Sequence, residues 1–161
     1  MSSLPWEIRE VSEPPEAPAM VVDLRRCTGC HACSVACKVE HSVPLGEFRM
    51  RVRWMEDPSD GKMAFLPVFD AATCDLGEAR GRFGLSPACV SACPTHALLF
   101  GDAADRANPV VEAARPLETP GDTKPGVLYI DHADWQEEKL NTGVALDPAD
   151  EDIVYEQGWK R

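Results

Sequence analysis

The chain of 161 residues carries 27 acidic against 16 basic side chains, a formal net charge of −11. The excess lies in the flanks: residues 20–101 hold nine acids and nine bases, whereas 1–19 hold four and one, 102–126 five and three, and 127–161 nine and three. Acidic flanks around a neutral centre argue against a nucleic-acid or anionic-membrane surface, and no apolar run nears the roughly 18 to 20 residues of a membrane helix, so no direct membrane insertion is expected.

Residues 1–19 contain four prolines and four glutamates, too polar and broken for a helix, and are expected to form an extended N-terminal arm. Met20–Leu24 reads as a short strand feeding a first cysteine loop. Ala32, Val35, Ala36 and Val39 recur at i, i+3, i+4 and i+7, which predicts an amphipathic helix over Ala32–His41. Phe48, Met50, Val52 and Trp54 alternate with Arg49, Arg51, Arg53 and Met55. A half-buried strand is therefore expected, with the three arginines on its outer face, where they would either neutralise the chain's own acidic arms, the preferred reading, or dock an acidic partner. The turn cluster EDPSDGK leads to a second strand at Met63–Phe69, where Pro67 implies an edge. Ala88–Cys93 suits a short helix stopped by Pro94, and Ala97–Phe100 a closing strand. The order βαββαβ predicts an α+β, ferredoxin-like domain over residues 20–101. Residues 102–161 are expected to be an acidic, irregular C-terminal extension. A strand-like Val127–Ile130 interrupts it, followed by a short helix through Leu140 capped by Asp131 or Asp134. Trp6 and Ile8 in the N-terminal arm, and Ile153, Tyr155 and Trp159 near the other end, offer apolar anchors for a partner.

The chemistry is carried by seven cysteines. Cys27, Cys30, Cys33 and Cys37 form C-x2-C-x2-C-x3-C, the ligand run of a cubane iron–sulfur cluster, in which the fourth thiolate serves a second cluster. That run requires a partner, found in Cys74 with Cys89 and Cys93, the last two within C-x3-C-P. One-electron transfer is the expected chemistry. An odd cysteine count disfavours a disulfide framework. Zinc is the stronger rival, but its sites seldom string four cysteines in this way. The C-x2-C-H of Cys27–His31, a haem c pattern, is set aside because Cys33 and Cys37 complete a different one. There is no Gly-rich nucleotide loop, nucleophile motif or free paired base, so no catalytic residue is assigned. His31 and His96 read as loop-packing residues, His41 and His132 as exposed residues near helix ends, and Trp54 as an apolar strand residue.

Over CTGCHACSVACKVEHSVPLGEFR and TCDLGEARGRFGLSPACVSACPTHALLFGD, within about residues 20–102, the sequence resembles a known family. These are the iron–sulfur electron-transfer (beta) subunits of molybdopterin oxidoreductases of the dimethyl sulfoxide reductase type. That family usually carries four cysteine groups; this chain has the first and last only, joined by a hairpin, and so resembles a reduced form. The resemblance implies one [4Fe–4S] cluster on Cys27, Cys30, Cys33 and Cys93, and a second cluster on Cys37, Cys74 and Cys89. Gly77 stands where the family has the second cysteine of its last group. The second cluster is thus expected to be [3Fe–4S], or [4Fe–4S] with a non-cysteine ligand from Asp75, Glu78 or solvent. Asp75 and Glu78 otherwise read as ordinary exposed loop acids, and Gly77→Cys is expected to supply the missing thiolate.

The resemblance further implies a non-catalytic subunit of an oxidoreductase complex. It would pass electrons between a large molybdopterin-type catalytic subunit and a membrane or soluble redox partner, with a membrane anchor subunit as a further candidate partner. The expected compartment is the cytoplasm, or the periplasm after export with a partner that bears the signal. Two rival readings are a free diffusible ferredoxin, which would lack such long acidic flanks, and a zinc-binding interaction module.

Overall fold

A computed structural model of the chain describes residues 15–105, 109–117, 124–136 and 138. Residues 1–14 and 139–161 lie outside these, and with them the proposed anchors Trp6, Ile8, Ile153, Tyr155 and Trp159. The described residues form a mixed α+β structure in the order β1 (Pro18–Asp23), α1 (Ala32–Glu40), β2 (Met50–Glu56), β3 (Met63–Phe69), α2 (Glu78–Gly81), α3 (Ala88–Ser91), β4 (Leu98–Asp102), α4 (Pro109–Ala113) and β5 (Val127–Ile130). Among them no helix is long and apolar enough to cross a membrane.

β1 is buried at every residue but Pro18, and it is the central strand of a three-stranded sheet. A run such as Ala19–Val22, apolar without alternation, suits a strand flanked on both sides and covered on both faces. β4 pairs with it antiparallel, with Val22 opposite Leu98. β5 pairs with it parallel, from Met20 beside Val127 to Asp23 beside Ile130. The strand-like run of the C-terminal segment is thus a sheet member. Beyond it residues 134–136 are helical, and Gln136 Oε1 accepts the Ala133 N–H at 2.8 Å. A Gln reaching back over the first turn is half of a capping box, and it holds this end where Asp131 or Asp134 was expected to.

β2 and β3 form a separate antiparallel hairpin, with Val52 opposite Pro67 and Trp54 opposite Phe65. An isolated two-stranded hairpin is marginal in water, so its attachment matters. The Tyr129 hydroxyl of β5 donates to the Pro67 carbonyl of β3 at 2.7 Å in the interior, and the Lys124 N–H donates to the Phe69 carbonyl at 2.8 Å. The expected alternation holds through Met50 and Val52 and then inverts: Met55 is buried, whereas Trp54 is 39% exposed. The hairpin buries side chains on both faces, Met50 and Val52 on one and Met55 and Leu66 on the other, so a period of two could not tell inside from outside.

α1 departs from its sequence pattern in the same way. Its inward residues are Cys33 and Ser34, while Val35 and Val39 of the apolar stripe are 59% and 76% exposed. The thiols, not the valines, choose the buried face.

Tyr129→Phe should leave the Pro67 carbonyl in the core without its partner, costing about 1–3 kcal/mol. Urea unfolding of the two proteins measures this, and an unchanged midpoint would mean that this bond does not tie hairpin to sheet.

Candidate functional site

The first cysteine loop starts where β1 ends. The Arg26 N–H bonds to the Asp23 carbonyl at 3.1 Å and the Cys27 N–H to the Leu24 carbonyl at 3.3 Å. The Asp23 carboxylate grips Arg25 through Nε at 2.8 Å and Nη2 at 2.7 Å. That bond, with burial opposing it, holds the Asp23 carboxyl below its usual range. Gly29 follows with φ of +70°, and a β-carbon there would lie 2.7 Å from Cε1 of Phe65, whose ring covers the loop. Trp54 packs edge-on against Phe65 and also against the His31 ring. Only a glycine allows this close cover.

From His31 the chain enters α1, where Cys33 and Cys37 stand four residues apart, a rise of about 6 Å. Cys89 in α3 and Cys93 just beyond it have the same separation, and α1 packs against α3. The cysteines divide between two cavities. One is lined by Cys27, Cys30, Cys33 and Cys93, with walls from Val52, Pro67, Ala97 and Leu98. The other is lined by Cys37, Cys74 and Cys89, with walls from Met20, Met50, Phe69 and Leu76. Each helix region therefore gives one thiol to each cavity.

Both cavities fit the chemistry of a thiolate-bound cluster, which needs sulfur ligands, walls that exclude water and N–H donors aimed at sulfur. The Ala97 N–H lies 3.2 Å from Cys93 Sγ, with the Thr95 hydroxyl at 3.7 Å, and the Leu76 N–H lies 3.5 Å from Cys74 Sγ. Burial pushes the Cys33 and Cys89 thiols up to about 12, and it also raises those of Cys27, Cys37 and Cys74. Cys93 is buried too, but N–H groups of Leu98, Ala97 and Thr95 and the Thr95 hydroxyl outweigh burial and leave its thiol below the ordinary value. Thiols held protonated by burial would have to lose their protons to bind a metal.

Charge distinguishes the second cavity. Asp75, expected as an exposed loop acid, lines it with His41, Arg49 and Arg80. Its Oδ1 lies 3.2 Å from Arg49 Nη2 and 4.0 Å from His41 Nε2, and accepts the Gly77 N–H at 3.1 Å; its Oδ2 accepts the Ala79 N–H at 3.4 Å. Burial opposes the Asp75 charge, and the Gly77 N–H and the Arg49 guanidinium overcome it, so its carboxyl lies below the usual range. Glu78 instead pairs with Arg82 at 2.6 Å on the exposed side of α2 and does not line the cavity. His41 and Arg49 were expected as exposed residues, yet each side chain is only 18% exposed. Arg49 pairs with a core acid, not an arm. The signal that could have located it is its place at the end of the EFR that closes the first cysteine segment. His31 and His96 both adopt positive φ, as tight loop residues, and His132 packs edge-on to Tyr129.

Gly77 has φ of +77°, and a β-carbon there would lie within 2.8 Å of Pro87 Cβ and 3.2 Å of its Cα. The Pro87 ring fills the place where a side chain at position 77 would start. The sequence-based expectation that a cysteine could simply be restored at 77 therefore fails on packing.

No family model matches the chain. Among curated proteins it is 33% identical over 89 residues to the B component of tetrathionate reductase from Salmonella typhimurium, covering 55% of this chain and 33% of that protein. It is 38% identical over 78 residues to the corresponding tetrathionate reductase component of Archaeoglobus fulgidus (48% and 31%), and 40% over 80 residues to the thiosulfate reductase electron transfer subunit PhsB of Salmonella typhi (48% and 37%). About half of this chain is homologous to iron–sulfur electron-transfer subunits of molybdopterin reductases. The matched segment spans about a third of the length of these relatives.

Gly77→Cys should lower stability by about 1–3 kcal/mol, because a side chain is forced into left-handed backbone against Pro87. It should bring no additional iron. Iron analysis alongside thermal unfolding tests both statements, and a variant that gains iron at unchanged stability would show that Pro87 yields.

Proposed function

We propose that this chain is an electron-transfer subunit holding two iron–sulfur clusters in a ferredoxin-like unit over residues 20–101. It would pass electrons between a molybdopterin-type catalytic subunit and a membrane or soluble redox partner. The observation that carries this reading is the sorting of seven cysteines into two adjacent cavities, four and three, with one thiol from each helix region in each. Cys27, Cys30, Cys33 and Cys93 would hold a [4Fe–4S] cluster; Cys37, Cys74 and Cys89 would hold the second. Such clusters, when bound, accept and release single electrons. The chain's own residues supply what tunes them: apolar walls from the hairpin and β1, N–H groups directed at Cys93 and Cys74, and local charge at the second site.

For the second site we favour [3Fe–4S]. Pro87 blocks a fourth thiolate at position 77, Glu78 is turned to Arg82, and both oxygens of Asp75 are already engaged. The two sites lie about one helical turn apart along α1, close enough to pass an electron within the subunit. The acidic segments 1–14 and 139–161 are assigned to contact with the partner subunits, since their charge is unmatched in the neutral centre and they contain Trp6, Ile8, Ile153, Tyr155 and Trp159.

Protein purified without oxygen should contain about seven irons per chain, with a paramagnetic signal in the oxidised state from the three-iron cluster. Chelation of the iron should abolish most circular-dichroism structure, because the core is small and built around the thiols. A colourless protein containing zinc and no iron would sink the electron-transfer reading.

A further inference from the structure

The two cavities differ most in their charged lining. Among the described residues no arginine or lysine lines the first, whereas Arg49 and Arg80 line the second. Arg80 is engaged elsewhere through its Nε, which donates to the Ser86 carbonyl at 2.7 Å, and its Nη1, which donates to Glu40 at 3.0 Å. Arg49 is not. Its Nη2 is held by Asp75, but its Nε is buried without a hydrogen-bond partner. A buried donor left unpaired costs about 1–3 kcal/mol, so such groups call for an acceptor. The Arg49 backbone is itself pinned, its carbonyl accepting the Asp70 N–H at 2.9 Å just ahead of β2, so the guanidinium is held in place from both ends.

We infer that Arg49 is the positioning residue that sets the potential of the second site above that of the first, its Nε–H donating to a cluster sulfur beside Cys37 and Cys74. The inference rests on the cluster assignment proposed above. Its physics is simple. Reduction adds one electron, taken from the redox partner, to a site that already carries three thiolates, and no bond to carbon or proton transfer is involved. A fixed cation with an N–H on sulfur stabilises the more negative, reduced state, and in a water-poor cavity its effect is screened little. Asp75 acts in the opposite sense. It orients Arg49 and offsets part of its charge, so the pair sets the potential between two limits.

The test is a redox titration followed by paramagnetic resonance on the cluster-loaded protein, with the first cluster as internal reference. In Arg49→Gln the reduction equilibrium of the second cluster should fall tenfold or more, which is about 59 mV for one electron, while the first cluster shifts less than about twofold. In Asp75→Asn, which keeps an oxygen for the Gly77 N–H, the second cluster should become easier to reduce by a comparable factor. If Arg49→Gln fails to assemble its second cluster, Asp75→Asn alone decides. Both variants leaving the second potential unchanged, both moving it in one direction, or the first cluster moving equally would overturn the role of Arg49. A wild type without iron would instead overturn the cluster assignment itself.

Discussion

Two short helices each deliver one cysteine to each of two cavities, and this crossed arrangement is the constraint to which the rest of the structure conforms. Cys33 and Cys37 on α1, and Cys89 with Cys93 on and after α3, are each spaced by four residues. At about 1.5 Å per residue that spacing separates the sites by one turn. Because the thiols must face inward, α1 presents Cys33 and Ser34 to the interior and leaves Val35 and Val39 to solvent. A helix packed only by hydrophobic burial would be turned the other way.

The supporting elements form the walls and roof of the two cavities. β1, central in its sheet, places Met20 at the second cavity and runs directly into the first cysteine loop. The hairpin supplies Val52 and Pro67 to the first cavity, Met50 and Phe69 to the second, and the Phe65 ring over Gly29. Its two strands would be marginal alone. The buried bond from Tyr129 to Pro67 ties them to β5, so a segment far along the chain contributes to holding the cavity walls. Burial pushes the Cys33 and Cys89 thiols up and so favours their protonated forms.

The asymmetry between the sites has a local origin. At the first, four thiols meet apolar walls and backbone N–H groups. At the second, a proline ring stands where another side chain would begin, and a half-buried Arg–Asp pair lines the cavity beside three thiols. The two cavities thus differ in the number of thiols that line them and in the charge of their lining.

Cysteine spacing and the places of most elements along the chain were legible in the sequence because they are local. C-x2-C-x2-C-x3-C and C-x3-C-P report a loop and a helical turn, and β1, the hairpin, α3 and β4 all lie close to where periodicity and turn residues placed them. What only the tertiary structure decided was the direction in which side chains face. The valine stripe of α1 and the alternation of β2 were correctly periodic, but periodicity identifies two faces without saying which is buried. Elements covered on both sides, or turned by their ligands, break the usual assumption. Asp75, separated from His41 and Arg49 by the whole β2–β3 hairpin, became their neighbour only when the end of α1, the residue ahead of β2 and the Cys74 loop met at one cavity. Gly77 looked like a lost ligand in the sequence. In three dimensions it is a left-handed backbone position against which Pro87 packs, because the way the Cys74–Cys89 segment folds back on itself is a property of packing that the residue types alone do not state.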